Sequence, residues 1–376
     1  MGVPKLRFKA DDGSDFPDWT YRTFGSVVEE FNDRTTTENE DVLLSCAIDG
    51  MYLNSELFGH QRGASNIGYK KITKGALILS MQNLHLGNAN VNTRFEHGIV
   101  SPAYKTFHIV GCLTEFMSAW VKRHAARIFF YDATTVGASQ CRRNVDWEEL
   151  YQQTIAVPSP LEQRKIADLL SAVDDVIAAQ EAEVAAWEKR KKGVMQKLFR
   201  QEVRFKADDG SDFPDWEEKT LGDICMYERQ RSEGANFIGT ENMLKDFGGV
   251  AFDNSKADGS GTLYHPGDTL MSNIRPYLKK AWLADRKGTC STDVLVFHPT
   301  SVEPGYLYWL IASDAFVRYV MSAAKGSKMP RGDKKHIMEM PLLLPNKDEQ
   351  RKIDDCLSSL NDVIIKAKNE LAKWQE

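Results

Sequence analysis

Long hydrophobic runs are missing from this sequence of 376 residues. Its longest apolar stretches, such as ALIL, are far too short to span a bilayer. Residues 2–20 are polar and acidic, unlike a signal peptide. The six cysteines lie far apart, with no CxxC pair and no Cys/His cluster at metal-ligand spacing. These absences favour a cytoplasmic protein with reduced, inert thiols and no metal site.

Catalytic signatures and a basic net charge are also missing. The chain contains no GxGxxG, GxxxxGK[ST], GxSxG or HExxH motif, so no catalytic residue is predicted. The formal net charge of -5 gives no global electrostatic case for nucleic acid or an anionic membrane. With 42% hydrophobic and 27% charged residues, the composition is that of an ordinary globular protein of two or three domains.

An internal repeat is present instead. The segment RFKADDGSDFPDW spans Arg7–Trp19 and recurs letter for letter at Arg204–Trp216. The segment EQRKI spans Glu162–Ile166 and recurs at Glu349–Ile353, whereas the stretches between these anchors match only weakly. Uneven divergence indicates that the ends of the two copies share one task and the middles differ in theirs. The repeated proline-containing opening segment is interpreted as an exposed connector rather than a ligand site.

Each copy ends in a predicted coiled-coil helix. From the Ile of EQRKI, steps of four and three residues fall on apolar positions, which is the pattern of a coiled-coil seam. Two like units related by a pseudo-two-fold axis would pair these helices antiparallel, with Gln180 as a polar register residue, and the first helix would be a strut of ~50 Å. The second helix ends about three turns earlier than the first, which suggests a truncated chain. The predicted seam residues are Ile166, Leu170, Val173, Ile177, Val184, Trp187, Ile353, Leu357, Leu360, Ile364, Leu371 and Trp374.

The fold class expected is therefore α+β, with two globular bodies separated by two long helices that form an antiparallel coiled coil. The predicted boundaries are a first globular domain at 1–157, a first central helix at 158–201, a second globular domain at 202–345 and a second helix at 346–376.

Polar patches occur at corresponding places in the two bodies and differ in chemistry. The first body offers amides and the second offers arginines, which are the side chains that bond adenine and guanine edges in pairs, while loop lysines suit phosphates. Because the same position carries different readers, the patches favour recognition of two different DNA sequences. The candidate DNA-binding residues are Gln82, Asn83, His85, Gln140, Arg142 and Arg143 in the first body and Arg275, Tyr277, Lys279, Lys280, Lys328, Arg331, Lys334 and Lys335 in the second.

The chain resembles the DNA-specificity (S) subunit of type I restriction-modification systems. The resemblance rests on motifs such as TLGDI at Thr220–Ile224, GDTLMSNIRPYL at Gly267–Leu278 and GIVSPAY at Gly98–Tyr104, together with the repeated helix starts. It implies a non-catalytic subunit whose two target-recognition domains each read one half of a split site in double-stranded DNA. It also implies helices that set the spacing and dock two methyltransferase subunits, with S-adenosylmethionine bound there and ATP and Mg²⁺ in the restriction subunits.

Two other hypotheses stay open from the sequence. One is a stand-alone two-domain DNA-binding regulator with no methyltransferase partner. The other is an enzyme whose two halves form an active site across the paired helices, although no group in the sequence can be named for that chemistry. Partner binding separates the first of these from the specificity-subunit hypothesis.

Overall fold

The computed structural model describes residues 6–59, 65–139, 142–252 and 258–375. The chain divides into two compact units, Met1–Val176 (unit 1) and Ile177–Glu376 (unit 2), and each is described by itself. The division falls within a long helix that begins in unit 1 and ends in unit 2.

Both units combine short strands with helices. The strands of unit 1 are β1 (Thr20–Thr23), β2 (Val28–Phe31), β3 (Leu44–Cys46), β4 (Met51–Leu53), β5 (Lys70–Thr73), β6 (Leu77–Ser80), β7 (Ala89–Val91), β8 (His97–Val100), β9 (Tyr104–Ile109), β10 (Thr134–Ser139), β11 (Arg142–Val145) and β12 (Thr154–Val157). Its helices are α1 (Asn54–Phe58), α2 (Thr114–Lys122), α3 (His124–Asp132), α4 (Trp147–Gln152) and the first part of α5 (Pro160–Phe199). Unit 2 adds strands β13 (Glu217–Thr220), β14 (Cys225–Tyr227), β15 (Arg231–Ala235), β16 (Asp258–Tyr264), β17 (Thr269–Ser272), β18 (Ala281–Leu283), β19 (Gly288–Cys290), β20 (Val294–Pro299) and β21 (Pro341–Leu344). Its helices are the rest of α5, α6 (Leu221–Ile224), α7 (Pro304–Ile311), α8 (Asp314–Ser322), α9 (Lys334–Met338) and α10 (Lys347–Gln375).

The sheet order repeats between the units. Unit 1 has a four-stranded sheet β2-β9-β6-β7 and a pair β1-β12, and unit 2 has β14-β20-β17-β18 and β13-β21. Strands β6 and β17 lie between two neighbours, and all four residues of each are buried, which explains their apolar sequences LILS and TLMS. The middles that diverge in sequence therefore share this four-stranded sheet order, so the predicted internal repeat is structural as well.

Each unit has its own hydrophobic core. In unit 1, Phe24 and Trp120 are fully buried within a cluster formed by β2, β6, β9 and helices α2 and α3. In unit 2, Tyr306 on α7 and Phe316 on α8 are fully buried, and the hydroxyl of Ser313 caps α8 by accepting from the amide of Phe316 (3.1 Å). The two units therefore bury their largest apolar clusters separately.

The repeated opening segment binds the start of each long helix. Arg7 donates to both carboxylate oxygens of Glu162 (3.0 and 2.8 Å), and the indole N–H of Trp19 donates to the same group (3.0 Å). In unit 2, Arg204 and Trp216 make the same three bonds to Glu349 (3.2, 2.8 and 2.9 Å). Both glutamates are almost fully buried, so a paired and hydrogen-bonded partner is required there.

The other letters of EQRKI have matching tasks. The carboxamide oxygen of Gln163 accepts from the amide of Leu113 (2.6 Å), and that of Gln350 accepts from the amide of Glu303 (2.9 Å). Gln350 also donates to the carbonyl of Pro345 (2.7 Å), and Gln163 donates to the carbonyl of Pro158 (2.8 Å), in each case two residues before the helix begins. The glutamate and the glutamine of each EQRKI segment therefore bond the globular body to its helix.

Helix α10 packs antiparallel to the second part of α5 within unit 2. Lys191 donates to Asn361 (2.9 Å), Glu188 pairs with Lys368 (2.7 Å), and Gln375 donates to Glu181 (3.1 Å). Partner numbers fall on α10 as they rise on α5, which confirms the predicted antiparallel direction.

Burial follows the predicted seam with two exceptions. The buried seam residues are Val184, Ile353, Leu357 and Ile364, and the half-buried ones are Ile166, Val173, Ile177, Trp187, Leu360 and Leu371. The prediction was wrong for Leu170 (42% exposed) and Trp374 (46% exposed). Leu170 lies one turn beyond Ile166, the seam residue that packs against the core of unit 1, and Trp374 lies in the last turn of α10.

Candidate nucleic-acid interface

The candidate interface of unit 2 is built on the connection between β17 and β18. This connection contains a 3-10 turn at Pro276–Leu278, and both flanking residues, Arg275 and Lys279, adopt the left-handed conformation (φ 52° and 55°). The amide of Arg275 donates to the carbonyl of Pro330 (2.8 Å), and Ile274 forms an isolated bridge with Arg331. An uncommon backbone conformation at a non-glycine residue persists only where its surroundings hold it, as they do here.

The structure brings two predicted arginines together that lie far apart in sequence. Arg331 donates from Nε to Asp293 (3.0 Å), with Nη2 at 3.5 Å from the other carboxylate oxygen, so this carboxylate orients its guanidinium. Arg275 is half-buried, its Nε has no partner, and no ion pair to its guanidinium occurs among the described residues. One arginine is thus aimed by a carboxylate, and its neighbour remains available for a ligand.

The predicted lysines of unit 2 fall into two groups. Lys279 pairs with Asp314 (2.8 Å), and Lys280 donates to the carbonyl of Thr240 (2.7 Å), so both hold the loop in place. Lys335 lies 3.6 Å from Glu339 in a surface pair. The remaining predicted residues of the patch are exposed, namely Tyr277, Lys328 and Lys334.

Unit 1 has the same strand-turn-strand connection, between β6 and β7. Its 3-10 turn spans Leu84–Leu86, and the turn is followed by Gly87 at φ 90°, where unit 2 has Lys279. Gln82 and Asn83 are exposed on this connection, whereas His85 is buried. Burial, and then the cations Arg143 and Arg127, lower the pKa of His85, so its ring is neutral at pH 7.

The second patch of unit 1 lies on the hairpin β10–β11. Arg143 donates to the hydroxyl and carbonyl oxygens of Thr134 (2.7 and 2.6 Å), and its guanidinium lies 4.1 Å from the centre of the Tyr131 ring. Arg143 therefore stabilises the hairpin. Gln140 and the side chain of Arg142 lie outside the described residues.

Sequence reasoning missed the groups that position these side chains. Asp293 orients Arg331, and Asp314 receives both Lys279 from the loop and Lys192 from α5 (2.6 Å). Hydrogen bonds from Lys192 and then Lys279 hold the pKa of Asp314 below its ordinary value. No local signal marks these acids, because their partners are distant in sequence.

Other chemistry finds little support in the described part of the chain. No group of His, Cys, Asp and Glu there could hold a metal ion, and no helix there is long and apolar enough to cross a membrane. Burial raises the pKa of the Cys46 and Cys225 thiols to about 12, which leaves them protonated and unreactive at pH 7.

Part of unit 2 matches a known protein family. Residues 214–373 match the family described as the type I restriction modification DNA specificity domain. Two curated relatives are specificity subunits of type I restriction enzymes. The EcoDI specificity subunit of Escherichia coli is 24% identical over 114 residues, and the MjaVIII specificity subunit of Methanocaldococcus jannaschii is 23% identical over 254 residues. Over residues 214–373, this chain is therefore similar to the type I specificity family.

The matched segments cover 29% and 58% of this chain, and they cover only 26% and 58% of the two relatives. Solved structures confirm the fold along nearly its whole length. A chain from work on complex assembly and conformational transition of the type I R-M system has a TM-score of 0.59 at 17% identity, covering 96% of this chain and 94% of that one. The S subunit from M. genitalium has a TM-score of 0.56 at 14% identity, covering 100% and 96%.

Proposed function

We propose that this chain is a non-catalytic DNA-reading subunit in which each unit recognises one half of a split site. The observation that carries the proposal is the uncommitted guanidinium of Arg275 beside the carboxylate-oriented Arg331. Both lie on a backbone arrangement that is fixed before any ligand arrives. The matching connection in unit 1 presents Gln82 and Asn83 instead.

The chemistry of these groups separates the two half-sites. A guanidinium donates in pairs to O6 and N7 of guanine in the major groove, and a carboxamide both donates to and accepts from adenine. Unit 2 should therefore prefer a guanine-containing half-site, and unit 1 an adenine-containing one. Exposed lysines such as Lys328 and Lys334 would contact phosphates and add affinity without selecting bases.

Partners and catalysis are proposed to follow the family. The chain would join two methyltransferase subunits, with S-adenosylmethionine bound in those partners, and restriction subunits that use ATP and Mg²⁺ to cleave DNA. The pairing of α5 and α10 offers an extended helical surface for such docking. A stand-alone DNA-binding regulator has no observation in its favour beyond those that the specificity-subunit proposal explains.

Methylome sequencing tests the proposal directly. Cells expressing this chain with the methyltransferase subunits of its system should methylate a bipartite motif with two unlike halves and an unread spacer. A pull-down in which no methyltransferase subunit accompanies the chain, or a motif with one continuous block, would contradict it.

Substitution of Arg275 assigns one half of the motif to unit 2. Arg275→Ala should weaken binding to the target duplex by about 1–3 kcal/mol, which is roughly 5- to 150-fold, and should relax only one half-site. Asn83→Ala should relax only the other half. Lys287→Ala should leave both unchanged, because Lys287 is exposed and its ammonium forms no ion pair within the described residues. An equal loss on target and random DNA would show that Arg275 contacts phosphate and reads no base.

A further inference from the structure

A concave surface of unit 2 lies next to the candidate interface, where the chain passes from Arg331 into helix α9. It encloses about 780 Å³ between β14, β15, β20 and α9. We call it the basic cleft, and the residues used below to define it are Tyr227, Arg229, Arg231, Thr262, Lys334 and Lys335.

The cations of this cleft outnumber the carboxylates that could neutralise them. The carboxylate of Glu228 accepts from the backbone amides of Arg229 and Gln230 (2.6 and 2.7 Å), so it shapes the turn. Glu339 is engaged with Lys335 (3.6 Å). Within the described ranges, the side chains of Arg229, Arg231 and Lys334 form no ion pair or hydrogen bond. Free cations gathered in one concavity create a local positive potential that suits an anionic ligand, despite the acidic net charge of the chain.

The walls of the basic cleft are fixed by the fold. The hydroxyl of Tyr227 donates to the carbonyl of Lys334 (3.1 Å), which joins β14 to the start of α9. Arg231 lies opposite Thr262 in the β15–β16 pair. Asp333 caps α9 by accepting from the amides of Lys335 and His336 (3.0 and 3.3 Å). The free side chains therefore project from ordered backbone on three sides of the cavity.

Unit 1 keeps cations at the corresponding position. Arg34 forms an isolated bridge with Lys70, as Arg231 pairs with Thr262, and Lys70 pairs with Val100 of β8 as Thr262 pairs with Cys290 of β19. Lys70 is only 4% exposed, and its ammonium has no ion-pair partner within the described residues. Lys105 lies nearby and donates to Glu30 (2.7 Å). Unit 1 therefore also places basic residues, Arg34 and Lys70, on the equivalent strand pair.

We propose that the basic cleft binds the phosphate backbone of DNA flanking the half-site read by Arg275 and Arg331. The inference rests on the proposed DNA-reading function and adds Arg229 and Arg231 to it. Phosphate contacts fix the register and orientation of a duplex without carrying sequence information. Arg331 and Lys334 are three residues apart in the chain. A DNA phosphate bound in the cleft would therefore fix how far the DNA backbone lies from Arg331, which reads the base edges.

The test is the salt dependence of binding. The full chain, in complex with its methyltransferase subunits, is titrated with the target duplex and a scrambled duplex between 50 and 200 mM salt. Arg229→Gln/Arg231→Gln should lower the slope of log K against log [salt] by about 1.8, because each phosphate contact contributes about 0.9. Over that fourfold range the unsubstituted chain should lose about tenfold more affinity than the variant.

Matched variants separate charge from shape. Arg229→Lys/Arg231→Lys should retain the slope, and Lys245→Gln/Lys287→Gln, which removes two exposed lysines of unit 2 outside the cleft, should also retain it. A thermal melt that matches the unsubstituted chain establishes that the glutamine variant is folded. In the Arg229→Gln/Arg231→Gln variant, the affinities for the target duplex and for the scrambled duplex should fall by the same factor.

The outcomes distinguish the two proposals. An unchanged slope in the glutamine variant, while the unsubstituted chain still prefers its target, refutes the role of the cleft and leaves the DNA-reading function intact. A loss confined to the target duplex would make these arginines base contacts and would also refute the inference. If the unsubstituted chain binds both duplexes equally, the DNA-reading function itself fails, and the inference fails with it.

Discussion

Replacing Glu349 tests what attaches helix α10 to the body of unit 2. Its carboxylate is fully buried and accepts from two nitrogens of Arg204 and from the indole of Trp216. Arg204 is itself about a quarter exposed (24%) and also donates to the carbonyl of Pro214 (2.6 Å). The arginine therefore has alternative acceptors and access to water if the carboxylate is removed, whereas the buried indole does not.

These contacts set the expected magnitude. Removing one partner of a buried pair destabilises a protein by about 3–5 kcal/mol, and an orphaned buried donor costs about 1–3 kcal/mol. Because Arg204 keeps other acceptors, we expect Glu349→Ala to lower the free energy of unfolding by about 3–4 kcal/mol. Glu349→Gln keeps an acceptor for Trp216 and loses the charge, so we expect a loss of about 1.5–3 kcal/mol.

Urea denaturation followed by far-UV circular dichroism measures these values in the transition of unit 2. A double-mutant cycle of Glu349→Gln with Arg204→Met should give a coupling of at least about 1.5 kcal/mol. The control is Arg351→Met, which removes an exposed pair with Glu303 on the same helix (3.0 Å) and should cost less than about 1 kcal/mol. A coupling below about 0.5 kcal/mol would mean that the repeated contact behaves as a surface salt bridge, and our reasoning would be refuted.

Two further expectations concern α10 and the loop that carries Arg275. Ile364→Ala should lower the free energy of unfolding by about 2–5 kcal/mol, because Ile364 is buried on the side of α10 that faces α5. In the same urea assay, Ile365→Ala, which alters the exposed neighbouring residue, should change the free energy of unfolding by no more than about 0.5 kcal/mol. Equal losses in the two variants would contradict the antiparallel packing. Asp314→Asn should destabilise unit 2 at pH 7, because hydrogen bonds from Lys192 and Lys279 lower the pKa of Asp314 below its ordinary 3.8. A carboxyl group whose pKa is lowered in the folded state stabilises the fold above its ordinary pKa and loses that effect as pH falls through the lowered pKa. The difference in stability should therefore shrink as pH falls below the ordinary 3.8, and a difference independent of pH would exclude this ionic contribution.

The repeat, the helices and their direction could be predicted from the sequence because they depend on local or periodic signals. The identical segments at Arg7–Trp19 and Arg204–Trp216 identified two copies of one plan, and the apolar period from Ile353 predicted the buried side of α10. The same period failed at Leu170 and Trp374, because burial needs a neighbouring surface as well as an apolar side chain. Periodicity describes one helix and carries no information on how far its partner extends along it.

The candidate interface could be predicted only in part. Amides and arginines at matching places of the repeat identified the two β-strand connections, and Gln82, Asn83, Arg275 and Arg331 are exposed or half-buried there. The sequence also nominated Lys279, Lys280 and Arg143, whose charged groups the structure commits to contacts within the protein. A cation looks the same in sequence whether it bonds a carbonyl or remains free, since the difference is made by groups brought near it in space.

By itself, the sequence determined the duplicated plan, the long helices and the chemical contrast between the two recognition bodies. These features are encoded in repeated letters, in apolar spacing and in residue type, and each can be detected without knowing which segments touch. Only the tertiary structure showed what the repeated opening segment does, because Arg204 bonds to Glu349, which lies 145 residues later in the chain. The tertiary structure likewise placed the loop of Arg275 beside Arg331 and placed Arg229 and Arg231 in one cleft with Lys334. Each of these arrangements joins segments that are distant along the chain.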